Sequence, residues 1–345
     1  MNMITRIGAL ALSLAAPATA AQADGTIWDG LRLAGSQSLL AWSLSEPALP
    51  LEALAARNKI LENMGYIGAR GEITRTWYKF SPILTYDNDI NGGFPGSSIV
   101  VSGLTFEIDE EYERVSGLMM GMSVSGGFTM PVADGLSWNS KALALATWSP
   151  EHSMSKVRIA GDSCLRKMLN ISTYLNGCLD LSYSDYDLGT SHSIGGRVGI
   201  SHAFAAFGAL HEVQADLRHA SYGGGSSYEQ RVGSVRLTTA HAGGFATVAG
   251  LQLGSDVDGI LAMRERIEFG ISANIFGEPG MIMVSAQNNR GGSWLGEARE
   301  DRIYSLSLSR SFGDKFGATI NISDTHSSAE FFNETAVGIN FSYSF

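Results

Sequence analysis

Short stretches of alternating apolar and polar residues follow one another from about residue 72 to the end of the 345-residue chain. Residues 266–275, 304–309 and 316–323 are clear examples. Because successive side chains of a strand point to opposite faces, this alternation predicts many β-strands, each with one apolar and one polar face. An all-β fold is therefore expected over residues 72–345.

Alternation alone fits two kinds of all-β protein. A soluble sandwich buries its apolar face and exposes the polar one to water. A barrel in lipid turns the apolar face outward and lines a lumen with the polar one. The beginning and end of the chain, and its many strands, favour the barrel.

The first residues have the pattern of a secretory signal peptide. Arg6 supplies a positive charge, residues 7–16 are apolar, and Ala18-Thr19-Ala20 forms an A-x-A cleavage site, with residues 21–23 as a second candidate. The apolar run is too short to span a bilayer. Residues 1–20 are thus expected to direct export through the inner membrane and then to be removed.

The final strand ends on aromatic residues. Phe341, Tyr343 and the terminal Phe345 lie on one face of residues 334–345, with small or polar residues between them. This ending resembles the closing strand of bacterial outer-membrane barrels, which the barrel insertion machinery of that membrane reads as a signal. An ordinary amphipathic edge strand is the alternative. The expected location is the outer membrane of a Gram-negative bacterium, with its lipids as partners.

Composition agrees with a membrane barrel and excludes other classes. Charged residues make up 17% of the chain and glycine is abundant at 41 residues, yet mean hydropathy is near zero. Beyond the N-terminus there is no apolar run of the roughly twenty residues that a membrane helix needs. The formal net charge of −10 argues against nucleic acid as a partner.

Fifteen segments have strand character, whereas a bacterial single-chain barrel has an even number of strands. Counted back from the C-terminus, strands pair regularly as far as about residue 190. One segment is therefore miscounted, either within 150–187 or near the N-terminus, where 97–108 is one of the fifteen. We expect a transmembrane antiparallel up-and-down barrel of about 14 strands, with 16 as the alternative.

Residues 21–71 lack the alternation of the later segments. Leu51 to Leu61 have apolar residues at helical spacing, with Pro47 and Pro50 before them and Gly65 after. This predicts a short helix in a periplasmic lead-in or a small plug.

The two cysteines, Cys164 and Cys178, belong to an exported chain. A single disulfide is the simplest expectation in that compartment. No histidine or carboxylate lies at ligand spacing from either, which argues against a metal site, and a catalytic thiol is less favoured still.

Charged residues on the polar faces are expected to line the lumen. If paired, they would brace and close the interior; if unpaired and in rings, they would filter solutes. An interior of 14 strands is wider than side chains alone fill, so a water-filled passage or a plug is implied. The lumen-lining candidates are Arg197, Glu212, Asp216, Arg218, Arg236, Arg266 and Glu268.

Asp87, Asp89, Asn91 and Gly92 match the opening of an EF-hand calcium loop. Ser98 stands where the bidentate glutamate belongs, and no helices are predicted beside it. A turn between two strands is therefore preferred to a calcium site, and no metal is expected.

The stretch from Phe80 to Gly93, FSPILTYDNDINGG, resembles the first barrel strand and turn of the surface lipoprotein assembly modifier family. Tyr86, Asp87, Asn91 and Gly92 match that motif. The resemblance covers residues 72–345 and implies a 14-stranded barrel that helps to move lipoproteins or secreted proteins across the outer membrane. Family members usually carry a helical-repeat domain before the barrel, for which residues 21–71 leave little room.

Two functions, both non-enzymatic, are therefore predicted. The first is export or surface assembly of a protein or lipoprotein client, as the resemblance implies. The second is a porin-type passive channel for small solutes, with specificity set by the lumen charges. No nucleophile motif is present, so no catalytic residues are assigned. No cofactor is expected.

Overall fold

The computed structural model describes residues 26–45, 51–101, 104–313 and 315–343. The predicted signal peptide and Phe345 lie outside these ranges. In the described part of the chain, no helix is long and apolar enough to cross a membrane.

In the residues that the structure describes, three short helices precede the strands: α1 Ile27–Ala34, α2 Gln37–Ser43 and α3 Leu51–Asn63. The local sequence explains their boundaries. Asp29 reaches back to the Thr26 backbone N–H in a capping box at α1, and the Ser36 hydroxyl accepts the Leu39 N–H at 3.0 Å to cap α2. The predicted helix over residues 51–61 is confirmed as α3.

Sixteen strands come after these helices, in the part of the chain that is described. Their bounds are β1 Arg75–Asp87, β2 Ser98–Val101, β3 Leu104–Glu107, β4 Gly117–Ala133, β5 Leu136–Trp148, β6 Ser155–Asn170, β7 Thr173–Tyr186, β8 Gly189–Ala206, β9 Ala209–Gly223, β10 Tyr228–His241, β11 Phe245–Gly254, β12 Ala262–Ile275, β13 Glu278–Trp294, β14 Glu297–Phe312, β15 Phe316–Ser327 and β16 Glu334–Tyr343.

Fourteen of these strands form one closed antiparallel barrel. Strands β4 to β15 each pair with the next along the chain, and β1 pairs with both β4 and β16, where Phe80 lies opposite Tyr343. The predicted closed barrel of 14 strands is confirmed. A closed sheet leaves no edge strand with unpaired backbone groups.

The miscounted segment is 97–108, which was expected to be a barrel strand. These residues form a separate two-stranded hairpin, β2–β3, inside the long connection 88–116. The hairpin has the β-branched and aromatic composition of a strand, but composition does not specify the pairing partner. The error therefore lay near the N-terminus and not in 150–187.

Connections at one end of the barrel are very short, as expected of periplasmic turns. At Phe207-Gly208 and Phe276-Gly277 both residues have positive φ, which is the geometry of a two-residue type I′ turn. The opposite end carries the longer loops, including 88–116 and 255–261. At this end strands β13 and β14 meet in a two-residue turn at Leu295-Gly296.

The strand register separates two faces. On one face large apolar side chains are widely exposed, among them Leu179 (68%), Leu217 (69%) and Val198 (62%). In water such a continuous exposed apolar surface would promote aggregation, whereas in lipid it is the favourable arrangement. The other face is polar and is contacted by the N-terminal helices, which places it inside.

The loop 88–116 is expected to face the cell exterior and the turn 134–135 the periplasm. We predict that Ser98→Cys in the cysteine-free background reacts on intact cells with a membrane-impermeant maleimide, because Ser98 is exposed in β2. Asp134→Cys, whose side chain is also exposed, serves as the matched control and should react only after lysis. The reverse labelling pattern would invert the assigned orientation.

Candidate functional site

All seven residues predicted to line the lumen lie on the inner face. Arg197 is opposite Arg218, Arg236 is opposite Gln214, and Glu268 is opposite Gly250, which itself pairs with Arg236. Side chains directly opposite one another in an antiparallel pair share a face. The set therefore spans one wall from β8 to β12, although its role in solute passage stays a prediction.

Several of these charges are paired across strands. The Arg218 guanidinium binds Asp180 at 2.5 Å and donates to the Tyr222 hydroxyl at 2.6 Å. Arg236 and Arg266 both approach Glu268 at 3.8 Å. Sequence reasoning missed Asp180, although its position between Leu179 and Leu181 already indicates the polar face. These pairs stiffen the wall as the bracing alternative predicts.

Other inner carboxylates accept hydrogen bonds from uncharged partners. Asp216 accepts from Asn176 at 3.1 Å and from Gln214 at 2.8 Å. Glu212 accepts from the hydroxyls of Ser36 and Ser38. Glu212 therefore attaches helix α2 to the barrel wall.

The disulfide between Cys164 and Cys178 is formed, which confirms the predicted pairing. The two residues lie directly opposite each other on β6 and β7. Arg197 donates to Cys178 Sγ at 3.4 Å on the same inner face. The bridge thus reinforces two strands that already pair and leaves the lumen side chains around it in place.

A cavity of about 400 Å³ lies inside the barrel beside this disulfide. Its charged lining consists of four basic side chains and one carboxylate: Arg75, Lys141, Arg166, Arg197 and Asp162. Lys141 pairs with Asp162 at 3.3 Å. Because the remaining basic groups outnumber the carboxylate, the cavity is positive at neutral pH.

Helices α1 and α2 fill part of the lumen near the periplasmic turns. Leu31 and Leu39 are fully buried against Ala203 and Ala240 of the barrel wall. Helix α1 approaches so closely that a Cβ on Gly30 would come within 2.7 Å of the His241 carbonyl oxygen. Helices α1 and α2 thus pack against the inner face of the barrel wall, whereas the division of the chain at residues 21–71 stays a prediction.

Helix α3 and the segment after it complete the plug. Leu61 and Met64 are buried with Ala41 against the inward ring of Tyr174. The Tyr66 ring lies 5.7 Å from the same tyrosine, and burial raises the pKa of the Tyr66 hydroxyl above its ordinary value. Both plug clusters thus contact strands on the β6–β12 side.

Next to α1, the opposite wall of the lumen has small side chains. On β14 to β16 the inward positions pair as Ser309 with Thr319 and Ser311 with Gly317, and Gly317 with Ser342. A cavity of about 270 Å³ lies between this wall and Arg32 and Leu33 of α1. Arg32 borders it while donating to Asn274 at 3.4 Å. Space therefore persists between the plug and β14–β16.

The loop 88–116 crosses the other mouth of the barrel. Its Asn91 is buried, accepts a hydrogen bond from the Leu188 N–H and donates to the Glu113 carbonyl oxygen. Phe94 lies 6.0 Å from the Trp294 ring on the far side of the barrel. The loop is thus fixed both to the β7–β8 turn and to β13.

The calcium-like motif within this loop is occupied by protein groups. Lys156 Nζ binds Asp87 at 2.8 Å and also the Asp89 carbonyl oxygen. Asp89 Oδ1 accepts the backbone N–H groups of Gly92 and Gly93, and Asn91 Oδ1 accepts that of Val115. Within the described residues, no group of three or more His, Cys, Asp or Glu could hold a metal ion. These hydrogen bonds are those of a folded turn, the interpretation preferred from the sequence.

Phe341 and Tyr343 lie on the lipid-facing side of the last strand. The Phe341 ring is 6.0 Å from that of Phe316 on β15. Both aromatics are therefore accessible from outside the barrel, as recognition by the insertion machinery requires, although that role stays a prediction.

Comparison with known proteins yields likeness of fold without likeness of sequence. No family model matches the chain, and no curated protein matches it. Pseudomonas aeruginosa OpdO is 10% identical, with 79% of this chain and 98% of that one covered and a TM-score of 0.41. A BenF-like porin from Pseudomonas fluorescens Pf-5 is 6% identical, with 80% and 99% covered and a TM-score of 0.42. OccK2 from Pseudomonas aeruginosa, solved with glucuronate, is 8% identical, with 80% and 100% covered and a TM-score of 0.41.

These findings correct the resemblance stated from the sequence. The resemblance to surface lipoprotein assembly modifiers is wrong: no family model matches the chain, and the similar structures reported above include a BenF-like porin and no member of that family. The residues that carried it serve local contacts: Tyr86 bonds to Ser116 and Asp87 to Lys156. The export function that depended on the resemblance therefore loses its support.

Packing of Leu39 should hold the plug in place. We predict that Leu39→Ala lowers the free energy of local opening of α1 and α2 by about 2–5 kcal/mol, because it leaves a cavity at a fully buried site. Hydrogen exchange of the α1 and α2 amides measures this opening. Leu51→Ala, at an exposed position of α3, is the control and should change little. Equal hydrogen-exchange protection of the α1 and α2 amides in both variants would mean that contacts other than those of Leu39 hold the plug in place.

Proposed function

We propose that this chain is a passive diffusion channel for small solutes in the outer membrane. The observation that carries the proposal is a closed barrel whose polar inner face encloses cavities, with the N-terminal plug packed against β6–β12 and small side chains on β14–β16. A 14-stranded barrel is wide enough to hold both a plug and a water-filled passage.

The solute path in this proposal runs beside the plug. From the cavity of about 400 Å³ a solute passes along the serine, threonine and glycine wall to the cavity beside α1. The loop 88–116 narrows the outer mouth, so only small molecules enter. Hydroxyl groups along the wall replace part of the hydration shell of a polar solute.

The charges of the cavity favour anions over cations. Arg75 and Arg197 face the same space as Lys141, whose charge is offset by Asp162. A positive, partly desolvated cavity attracts anions more strongly than an exposed surface does, because field lines are focused within low-dielectric walls. Small organic or inorganic anions are thus the proposed solutes.

The ends of the chain have their own proposed roles. Residues 1–20 are proposed to direct export, residues 21–71 to form the plug segment and residues 72–345 to form the barrel. Phe341, Tyr343 and Phe345 are proposed to be recognised by the barrel insertion machinery. The proposal assigns no catalysis to the chain.

Planar-bilayer conductance of the refolded chain tests the channel. We expect small, steady openings that are largely abolished in Ser309→Trp, because a large ring would fill the space between α1 and β14. Leu308→Trp is the matched control, since position 308 is on the lipid face of the same strand, opposite Ile320. A folded, inserted chain that never conducts would overturn the channel function, and equal block by both variants would overturn the path.

Reversal potentials across a salt gradient test the selectivity. The wild type is expected to prefer chloride over potassium, and Arg75→Gln with Arg197→Gln should shift the reversal potential toward the cation value. The control is Arg70→Gln, because Arg70 pairs with Asp134 on an exposed turn at 2.9 Å and does not line the cavity. Unchanged selectivity after removal of both cavity charges would contradict the electrostatic argument.

A further inference from the structure

The lipid face carries a groove that crosses strands β5 to β11. Two depressions of about 900 Å³ and 640 Å³ share Val198, Leu217 and Gly233, so they form one continuous surface. We call this surface the outer groove. Its apolar walls are contributed by Leu165, Leu175, Leu179, Val198, Leu217 and Leu253.

Glycines create the floor of the outer groove. A Cβ added to Gly177 or Gly196 would meet no atom within 4 Å, and one added to Gly233 would meet only Leu217 at 3.6 Å. The space above these backbones is therefore open and not filled by neighbouring side chains. Its volume, spread over two joined depressions, accommodates more than one acyl chain.

One end of the outer groove carries an arginine and a histidine. Arg231 and His219 lie opposite each other on β10 and β9, on the same face as exposed Leu217, and both line the larger depression. Arg231 is exposed and forms no side-chain ion pair or hydrogen bond with the residues that the structure describes. The nearest carboxylate in the strand, Glu229, is engaged by Ser221 at 3.3 Å and His219 at 3.5 Å.

An arginine directed toward lipid is unfavourable unless it has an anionic partner or reaches water. Arg231 follows the loop 224–227, on the side assigned to the cell exterior, and therefore faces the outer leaflet. In that leaflet the lipid that combines phosphate groups with several acyl chains is the lipid A part of lipopolysaccharide. An arginine guanidinium matches phosphate geometry and binds it through charge-assisted hydrogen bonds.

We propose that the outer groove is a binding site for lipid A. A lipid A phosphate binds Arg231, with His219 beside it, and acyl chains lie over Gly177, Gly196 and Gly233. The site depends on the lipid face alone and not on the proposed channel.

Native mass spectrometry of the full refolded chain with added lipid A measures this binding. We expect a bound lipid A that persists when detergent micelles are stripped. Arg231→Gln should weaken its apparent affinity by about tenfold or more, as expected for losing a hydrogen bond to a charged group. Gly196→Leu should weaken it by filling the floor, for which the backbone has room.

Ala144→Leu is the matched control for the glycine variant. Position 144 is exposed on the lipid face of β5, opposite Ile159, and outside both depressions. It should leave lipid A binding unchanged, and heat-modifiable migration should show that every variant is folded. Conductance should be equal in all of them, which separates this site from the channel.

Three results would overturn the proposal. Equal lipid A binding by wild type, Arg231→Gln and Gly196→Leu would mean that Arg231 is only a solvated residue. Equal binding of dephosphorylated lipid A would remove the role of the phosphate. Stronger binding of phosphatidylglycerol than of lipid A would assign the groove to a different lipid.

Discussion

Closure of the sheet between β1 and β16 is the constraint on which the rest of the structure depends. In a bilayer no water satisfies an unpaired backbone N–H or C=O, so a spanning sheet must have no edge. The pairing of Phe80 with Tyr343 removes the last edges. Once the sheet is closed, the two-residue period of each strand assigns every side chain either to lipid or to the lumen.

The lumen is then shaped by an asymmetry between its walls. The β6–β12 side carries the predicted lumen charges and binds the N-terminal helices through Glu212, Tyr174 and the alanines at 203 and 240. Near α1, the β14–β16 side has serine, threonine and glycine at its inward positions and borders a cavity. Cross-strand pairs such as Arg218 with Asp180 keep the charged wall from collapsing inward. A plug on one wall and free volume on the other are consequences of this division.

The loop 88–116 shows where sequence reasoning fails. Its hairpin has the β-branched and aromatic composition of a barrel strand, and for that reason residues 97–108 are counted among the strands expected from the sequence. The decisive information is the partner: β2 pairs with β3 alone, whereas each barrel strand pairs with two neighbours. The same loop includes part of the motif that resembled another family, yet Asp89 and Asn91 serve only to fold and anchor it.

By itself the sequence determined the barrel and the two faces of its strands, because a side-chain period of two is a local property. It also placed Arg197, Arg218 and Glu268 on the inner face and made Cys164 and Cys178 the only possible disulfide. Only the tertiary structure decided which charges meet, that Asp180 neutralises Arg218, that the helices enter the lumen and that glycines on three strands align into one groove. These features depend on residues brought together by closure and register, across distances along the chain that no local pattern records.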